Sequence, residues 1–501
     1  MRLSHLLAST GFNSQSDPDI CDVTTDPNLC SNGVLYLACE SETIDSSRFG
    51  VRLDGRKLID TAIKNGASAI LSDCSILQQN EVKEATIPIV IQENPLSLLG
   101  LICSKLFDQK RPENLALVTG TNGKTSTVNF AKQIWSGLGN ESCSVGNLGG
   151  VCSDGTLVWE RDPVLSVPET VFMHKMLTRL AKKGIDYVAM EATSHALFDY
   201  RLHHSNANIG AFCNLTRDHL DFHLNMQEYF RVKMLLFTSV LPVGSAAVLN
   251  ADSDYFEPAN EICKSFKHQI ITYGRKGKQI RLIDAEKSDS GQKLHLQVFG
   301  KTYEVAFNLY GEFQVSNALC ALSIAIASGM DKEHAVLELS RLCEVEGRLN
   351  HVATLPSGGK IIVDFAHTPD GLRAALEACR SFTSGQLIVI FGSAGNRDQG
   401  KRPLMGEIAT RLADLAIVTN DSPNSEDPAT IRKEILTGAL ANAIEIDERL
   451  EAIKFAAARL QNNDTLLLAG LGHETSINVG DKTLPFSDID IAKSLSLELH
   501  N

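Results

Sequence analysis

The segment Gly120-Thr-Asn-Gly-Lys-Thr125 has the residue types and spacing of a loop that binds phosphate. An apolar run at 115–119 precedes it, and apolar residues recur after it on one helical face, at Val128, Ala131, Trp135 and Leu138. At such a strand–glycine–helix junction the backbone N–H groups converge on an anion, and the helix dipole favours negative charge. The sequence therefore predicts a nucleoside triphosphate site.

Two side chains of this segment have predicted roles of their own. Lys124 can place a positive charge on a terminal phosphate, and the hydroxyl of Thr125 can reach Mg²⁺. Only two residues separate Gly120 from Gly123, whereas the common Walker pattern has four. A structural strand-to-helix turn is therefore the alternative interpretation.

Two further predicted strands end in polar residues. Glu191 follows the strand at 187–190, and the strand at 209–214 leads into a loop that holds Asp218 and His219. Ligands of open parallel sheets bind beyond the carboxyl ends of the strands. Glu191 and His219 thus converge on the triphosphate if both strands flank the strand at 115–119, and together they suit Mg²⁺. The alternative is that 218–223 is a polar surface loop.

Lys233 lies on the apolar face of a predicted helix at 226–237, with Tyr229, Val232, Leu236 and Phe237. A lysine in this position usually extends its ammonium group to water. Alternatively, burial depresses its pKa, and the neutral amine takes up CO₂ to form a carbamate. That anion could bind a second Mg²⁺.

The last third of the chain has its own polar clusters after predicted strands. They cover residues 364–370, 392–402, 421–427 and 470–474. Arg397, Lys401 and Arg402 can pair with carboxylate or phosphate, and Glu474 can receive an ammonium group. A solvated helix start and a plain surface carboxylate are the respective alternatives.

Composition restricts the class of protein. The 501 residues are 43% hydrophobic and 21% charged, which is typical of a globular chain of about three domains. The net charge of −13 argues against nucleic acid as a partner. Twelve cysteines without a Cys-x-x-Cys pair indicate reduced thiols. The absence of a long apolar run predicts no signal peptide or transmembrane helix, and we expect a cytoplasmic protein.

The positions of strands and helices predict an α/β chain of three domains. Residues 1–110 form a small α/β domain, 111–345 a central phosphate-loop domain with a parallel sheet, and 346–501 a Rossmann-like, doubly wound α/β domain. Residues 278–307 are predicted to add antiparallel strands, and a helix at 315–328 to close the central domain. Further predicted elements are strands at 34–38, 69–71, 89–91, 360–364, 386–391, 415–419 and 465–469, and helices near 58–65, 95–107, 370–380, 403–412, 430–441 and 448–461.

Taken in order, eight motifs resemble those of the Mur ligase family. They lie at 120–125, 190–195, 214–223, 311–317, 347–348, 364–370, 397–406 and 470–474. The resemblance is strong over about 110–495 and weak before it. It implies an ATP-dependent ligase that adds the third amino acid of the peptidoglycan stem peptide to UDP-MurNAc-L-Ala-D-Glu through an acyl phosphate. It also implies two Mg²⁺ ions, and we expect a monomer.

The resemblance carries over residue by residue. ATP is expected at Gly120, Thr121, Asn122, Gly123, Lys124, Thr125, Ser126, Asn317, Arg348, Asp364 and His367. Mg²⁺ ligands are expected at Thr125, Glu191, His219 and Lys233, the last as a carbamate, and Lys124, Glu191, His219 and Lys233 are the expected catalytic residues. The UDP substrate is expected at Thr193, Asp199 and Arg201, and the diamino acid at Arg397, Ser422, Asn424, Gly470 and Glu474.

The identity of the diamino acid stays open at this level. Family members that take meso-diaminopimelate usually carry Asp-Asn-Pro-Arg, whereas this chain has Asp421-Ser-Pro-Asn424, which favours L-lysine. The motifs at 397–406 and 216–219 favour meso-diaminopimelate, which is the prediction we adopt. Two rivals remain, namely a folylpolyglutamate-synthase-like ligase and a nucleotide-binding protein without catalysis.

Overall fold

Three α/β units, each built on its own sheet, make up the protein. The computed structural model describes residues 1–8, 12, 16–39, 54–78, 85–107, 110–161, 165–288 and 291–498. In chain order the three sheets have four, eleven and six strands, and a two-stranded hairpin lies near the end. This arrangement confirms the predicted α/β class with three units; the boundaries at 110/111 and 345/346 stay predictions.

The first unit is a parallel sheet with the order β1-β2-β3-β4. Every residue of β2 and β3 is buried, as expected for a sheet covered on both faces. The predicted strands and helices are confirmed, and β1 and α1 were not predicted. The elements are α1 (Leu3–Leu6), β1 (Asp22–Thr24), β2 (Val34–Ala38), α2 (Ile59–Lys64), β3 (Ala69–Ser72), β4 (Ile89–Ile91) and α3 (Leu96–Phe107).

The second unit begins with β5, the strand that leads into the phosphate loop. Its elements are β5 (Asn114–Thr119), α4 (Lys124–Gly137), β6 (Ser142–Gly146), β7 (Gly149–Cys152), β8 (Leu157–Trp159), α5 (Thr170–Lys182), β9 (Tyr187–Glu191), α6 (Ser194–Phe198), β10 (Ile209–Phe212), α7 (Leu220–His223), α8 (Met226–Leu235), β11 (Ala246–Asn250), α9 (Phe256–Ser265), β12 (Gln269–Gly274), β13 (Ile280–Ser288), β14 (Gly291–Val298), β15 (Lys301–Phe307), α10 (Glu312–Ala327) and α11 (Lys332–Glu338).

The strand order of this sheet decides where the polar strand ends meet. It runs β15-β14-β13-β12-β11-β10-β5-β9-β6-β7-β8, so β5 lies between β10 and β9 and is parallel to both. The flanking arrangement required for Glu191 and His219 to converge is therefore present. The predicted antiparallel strands are confirmed as β13, β14 and β15. The antiparallel strands β7 and β8 at the opposite edge were not predicted.

Two helix predictions for this unit need correction. Helix α10 does not close the unit, because α11 follows it and packs against α4 and β15. The predicted helix at 226–237 is α-helical only to Leu235 and continues as a π-helical turn at Leu236–Val240. Helices α4 and α10 pack together over one face of the sheet, with Val128, Trp135 and Leu319 in the shared core.

The third unit has the sheet order β16-β17-β21-β18-β19-β20, parallel except for β16. The four predicted strands and four predicted helices are confirmed, although the helices predicted near 430–441 and 448–461 end earlier than expected, at Leu436 and Ala457. The elements are β16 (Asn350–Thr354), β17 (Lys360–Asp364), α12 (Pro369–Phe382), β18 (Leu387–Phe391), α13 (Arg402–Leu412), β19 (Leu415–Val418), α14 (Pro428–Leu436), β20 (Ala443–Glu445), α15 (Arg449–Ala457), β21 (Thr465–Ala469), β22 (Ser476–Val479), β23 (Lys482–Pro485) and α16 (Asp488–Glu498).

A buried ion pair holds the end of β21, from which the loop at 470–474 begins. Arg449 donates from Nε and Nη2 to the two carboxylate oxygens of Asp488, at 2.9 and 2.6 Å. Nη2 also donates to the carbonyl of Ala469 at 3.0 Å. Both side chains are almost fully buried, so each charge depends on the other for compensation.

Substitution of Arg449 tests this dependence. Arg449→Met leaves Asp488 buried without a counter-charge and should lower the free energy of unfolding by about 3–5 kcal/mol. Arg449→Met/Asp488→Leu removes both charges and should be less destabilised than the single variant. Urea unfolding measures both values. An equal loss in the two variants would show that the bond to Ala469, not the isolated carboxylate, accounts for the effect.

Candidate active site

A single cavity of about 670 Å³ combines residues of the second and third units. This volume is within the range of sites for small molecules and cofactors. None of the described residues of the first unit lines it. The predicted residues that line it are Thr121, Asn122, Gly123, Lys124, Thr125, Ser126, Thr193, Arg201, His219, Asn317, Arg348, Asp364, His367, Arg397, Ser422, Gly470 and Glu474.

Five predicted site residues do not line the cavity. Gly120, Glu191 and Lys233 form hydrogen bonds within or beneath the phosphate loop. Asp199 is buried and pairs with Arg201, with Nη2 and Oδ2 3.0 Å apart. Asn424 is buried and donates from Nδ2 to the carbonyl of Gly395 at 2.7 Å.

Hydrogen bonds order the phosphate loop, and its second glycine allows close contact with Asn317. Gly123 has φ +91° and precedes α4; a Cβ on it would lie 2.3 Å from Oδ1 of Asn317. The N–H groups of Thr121 and Asn122 both donate to Oδ1 of Asn214, at 3.1 and 3.0 Å. Lys124 donates from Nζ to the carbonyls of Gly120 and Thr121 at 2.9 and 2.8 Å. The strand, loop and helix predicted at 115–137 are therefore present.

Glu191 has one satisfied and one unsatisfied oxygen. Oε1 accepts from the hydroxyl of Thr125 at 2.8 Å and from the N–H of Asn147 at 2.9 Å. Arg348 in turn donates from Nη2 to the hydroxyl of Thr125 at 3.1 Å. Oε2 is buried and has no hydrogen-bond partner among the described residues. A buried, unpartnered carboxylate oxygen beside a phosphate loop is a suitable ligand for a cation.

The donor set fits Mg²⁺ only in part. In the described parts of the chain, no group of three or more His, Cys, Asp or Glu residues could hold a metal ion. Mg²⁺ in nucleotide sites takes one or two carboxylates and completes its shell with phosphate oxygens and water. Glu191 and Thr125 therefore fit an ion that is shared with a nucleotide, and the phosphates must supply the remaining ligands.

Lys233 is buried, so the snorkelling interpretation is wrong. Its side chain belongs to α8, and Nζ donates to the carbonyl of Gly120 at 2.9 Å and lies 4.4 Å from the ring centre of Tyr229. Burial, and secondly the charge of Lys124, hold the pKa of Lys233 well below its usual value. A neutral amine is the form that reacts with CO₂.

His219 lines the cavity and has a strained backbone conformation. It has φ +53°, in the left-handed region, and precedes the short helix α7. Burial lowers the pKa of His219 to about 3, against the opposing effect of Asp218. The imidazole is therefore neutral at neutral pH, the form that binds metals.

Asp218 is buried, so the surface-loop interpretation is wrong for this residue. Its carboxylate lies 3.4 Å from Nε2 of His219, 3.7 Å from Nε2 of His367 and 3.7 Å from Nζ of Lys401. Burial raises the pKa of Asp218, but the neighbouring His219, Lys401 and His367 together outweigh it and hold the pKa well below its usual value. Two of these partners belong to the third unit, so Asp218 links the two units across the cavity.

The neighbouring residue makes a second link. Arg217 donates from Nε and Nη2 to the two carboxylate oxygens of Asp398, at 2.7 and 2.8 Å. Asp398 also accepts from the N–H of Gly400 at 3.0 Å. On the other side, the hydroxyl of Thr121 accepts from the N–H of Thr216 at 3.0 Å. The phosphate loop is thus connected to the loop at 392–402 through residues 216–218.

The cations after β18 differ in what they contact. Arg402 is fully buried and pairs with Glu426 and Glu434 at 2.9 and 2.7 Å. Its charge is therefore compensated within the third unit and is not presented to a ligand. Lys401 is also buried. The solvated-helix interpretation is wrong for both. Arg397 lines the cavity.

Glu474 lines the cavity beside cationic side chains. It lies 3.4 Å from Nη2 of Arg161, which comes from the second unit. The residue before it, His473, contacts Nη1 of Arg348 through Nδ1 at 3.2 Å. Burial is the main cause that lowers the pKa of His473, and Arg348 adds to it.

Several residues in or beside the cavity had no predicted role, among them Asn147, Arg161, Asn214 and His473. Asn147 lies between glycines in Gly146-Asn-Leu-Gly149, and Asn214 lies two residues after the end of β10, so both carried a local signal. His473 falls inside the cluster at 470–474. Arg161 had no signal, because only the fold brings it to Glu474.

Comparison with known proteins gives consistent matches. Residues 118–325 match the Mur ligase middle domain, and residues 347–472 match the Mur ligase glutamate ligase domain. The UDP-N-acetylmuramoyl-L-alanyl-D-glutamate–2,6-diaminopimelate ligase of Agrobacterium fabrum is 37% identical over 481 residues, 96% of this chain and 94% of the relative.

Solved structures agree with these matches. A ligase of the same name has a TM-score of 0.68 at 25% identity and covers 100% of this chain and 99% of its own. MurF ligase from Thermotoga maritima, solved in complex with ADP, has a TM-score of 0.63 at 16% identity, with coverage of 95% and 97%. No helix in the described parts of the chain has the length and apolar character needed to span a membrane.

A double-mutant cycle tests the link between Arg217 and Asp398. Arg217→Gln and Asp398→Asn each break the ion pair, and the amide introduced at position 398 keeps an oxygen for the N–H of Gly400. Because Arg217 is partly exposed, each variant should weaken binding of a non-hydrolysable ATP analogue by about fivefold. Since the pair acts as one unit, the double variant should lose no more than either single variant.

Isothermal titration calorimetry measures these affinities. The matched control is Arg380→Gln/Asp414→Asn, which breaks an ion pair of 2.8 Å inside the third unit and should leave nucleotide affinity unchanged. Additive losses in the Arg217 and Asp398 variants would contradict the link.

Proposed function

Because the chain belongs to the Mur ligase family, we propose that it joins 2,6-diaminopimelate to the D-glutamate carboxyl group of UDP-N-acetylmuramoyl-L-alanyl-D-glutamate at the expense of ATP. The observation that carries this proposal is one cavity lined both by the phosphate loop and by Arg397 and Glu474. A relative of that name matches 96% of the chain. The product is a precursor of peptidoglycan.

The three domains have separate roles in the proposal. Residues 1–110 bind the uridine part of the substrate, 111–345 bind ATP, and 346–501 bind the diamino acid. Within the central domain the phosphates of ATP lie at 120–126, and Asn317, Arg348, Asp364 and His367 contact the rest of the nucleotide. The position of Asn317 against Gly123 and the bond from Arg348 to Thr125 support this assignment.

The reaction has two steps. The D-glutamate carboxylate attacks the γ-phosphorus of ATP, so that an acyl phosphate forms and ADP leaves. The amine of the diamino acid then attacks the acyl carbon, an amide forms, and phosphate leaves with loss of a proton from nitrogen. Lys124 stabilises the negative charge on the phosphates, and Thr193 and Arg201 orient the UDP substrate. Asp199 holds Arg201 through their ion pair.

Mg²⁺ belongs to the proposal as a partner of the nucleotide. Thr125, Glu191, His219 and a carbamylated Lys233 would hold two ions, which supply positive charge for the crowded phosphate and carboxylate groups. The unpartnered Oε2 of Glu191 and the depressed pKa of Lys233 support these assignments. We propose that the protein acts as a monomer in the cytoplasm.

The diamino acid is held by the third domain. Arg397 and Ser422 bind its carboxylate groups, and Glu474 and the backbone at Gly470 bind its ammonium groups. The ion pair between Arg161 and Glu474 supports an electrostatic role for Glu474. Arg217, Asp218 and their partners keep this domain against the phosphate loop, which excludes water from the acyl phosphate.

An ADP-release assay tests the proposed function. With UDP-MurNAc-L-Ala-D-Glu and ATP, we expect kcat/KM to be about 100-fold higher for meso-diaminopimelate than for L-lysine, because a site built for a second carboxylate disfavours an amino acid that lacks it. The reverse preference would make the chain an L-lysine ligase. Turnover with folate and glutamate would indicate a folylpolyglutamate-synthase-like ligase, and ATP binding without any turnover a binding protein.

Lys233 provides a separate prediction. Lys233→Ala should lower kcat by about 100-fold or more, because the charge that holds a metal ion is lost. Added acetate or formate should restore part of the activity by supplying a carboxylate. Lys182→Ala, on an exposed position of α5, is the control and should be unaffected. Activity of Lys233→Ala at the level of the unmodified protein would overturn the carbamate proposal.

A further inference from the structure

The hairpin of β22 and β23 contributes to the cavity beside the loop at 421–427. Ser476 and Asn478 lie on the same face of β22, and both line the cavity together with Ser422, Arg397 and Glu474. Residues at i and i+2 of a strand share a face, so this pairing follows from the strand geometry. Nothing in the sequence motifs pointed to these two side chains.

Asn424, which was expected to contact the diamino acid, does not line the cavity. Its Nδ2 donates to the carbonyl of Gly395 at 2.7 Å, its backbone N–H donates to the carbonyl of Asn478 at 3.1 Å, and its carbonyl accepts from the N–H of Gly480 at 2.6 Å. These bonds join the loop that carries Arg397, the loop at 421–427 and the hairpin. Asn424 therefore positions three elements, and its buried side chain does not line the cavity.

The same bonds place Asn478 next to Ser422. The N–H of Asn478 donates to Oγ of Ser422 at 3.3 Å, so the hydroxyl proton of Ser422 stays available to a ligand. Oδ1 of Asn478 accepts from the hydroxyl of Thr483 at 2.9 Å, which leaves Nδ2 as the remaining donor of this amide. Within the described residues, Nδ2 has no hydrogen-bond partner. Two neutral donors are thus adjacent at the cavity wall.

The contacts of β22 and of the residues before it indicate which end of the diamino acid Ser422 and Asn478 would meet. His473 contacts Arg348, which bonds Thr125 in the phosphate loop. From there the chain continues through Glu474 to Asn478, whose neighbour Val479 is exposed. His473 is thus connected to the phosphate loop through Arg348, whereas Asn478 bonds Ser422 and Asn424 in the loop at 421–427, which places Asn478 on the third-unit side of the cavity.

We propose that Asn478 determines acceptor specificity, with Nδ2 and the hydroxyl of Ser422 donating to the carboxylate at the far end of the diamino acid. The inference rests on the proposed function and adds the residue that recognises the second carboxylate. A carboxylate accepts several hydrogen bonds, and neutral amide and hydroxyl donors can satisfy it. L-lysine, which lacks this carboxylate, leaves both donors unpaired.

Asn478→Asp is the most direct test. It keeps the size of the side chain and the acceptor for Thr483, but it replaces the donor with a negative charge. The KM for meso-diaminopimelate should rise by about tenfold or more, since a hydrogen bond to a charged group is lost and repulsion is added. The KM values for ATP and for the UDP substrate should be unchanged. The preference for meso-diaminopimelate over L-lysine should fall by the same factor.

Two further variants keep the test independent of folding. Thr483→Val releases Oδ1 of Asn478 and should shift the same preference in the same direction by a smaller factor. Lys482→Ala, on an exposed position of the same hairpin, controls for disturbance of the hairpin and should have no effect.

The outcomes separate this inference from the proposed function. An unchanged preference in Asn478→Asp, or an equal rise in all three KM values, would overturn the role of Asn478. If Asn478→Asp does not fold, an unchanged preference in Thr483→Val overturns it instead. Absence of turnover by the unmodified protein with either diamino acid would refute the proposed function itself.

Discussion

Two lysine side chains, the half-buried Lys124 and the buried Lys233, donate to the same backbone carbonyl, that of Gly120. Burial, and secondly the charge of Lys124, lower the pKa of Lys233, and burial lowers the pKa of Lys124 as well. The arrangement therefore depends on keeping Lys233 uncharged and on bringing negative charge to Lys124. Glu191 and Asp218 are the nearby carboxylates, and both already have partners on one side. The rest of the site is organised to receive anions.

Charged contacts join the second and third units around the cavity, beside an apolar contact in which Tyr310 and Phe313 pack against the core of the third unit. Asp218 contacts His367 and Lys401 of the third unit, and Arg217 forms an ion pair with Asp398. Both belong to the segment that hydrogen-bonds Thr121 of the phosphate loop. Any displacement of the third unit therefore changes the surroundings of the phosphate loop directly, which joins acceptor binding and nucleotide binding in one network.

The features that depend only on neighbouring residues could be predicted from the sequence. The apolar run before Gly120, the glycine turn and the amphipathic pattern of α4 fix the phosphate loop, and the polar strand ends located Glu191 and His219. Burial was harder to predict: Lys233 and Asp218 have the same neighbours in sequence whether they are exposed or covered, and only packing of α8 and of the third unit decides. The hairpin at 476–485 alternates too few apolar residues to be recognised, so the role of Asn478 was not predictable.

The central position of β5 in the sheet has a consequence for how the chain folds during its synthesis. Both of its neighbours, β9 and β10, lie far downstream, and the side chain that orders the loop after it, Asn214, is 93 residues from Thr121. Loops of this length must close before the contacts form, which makes such pairing slow. During synthesis, the strand that leads into the phosphate loop therefore emerges long before it can be completed. Acquisition of nucleotide affinity by a growing chain would mark the moment at which the whole central sheet has assembled.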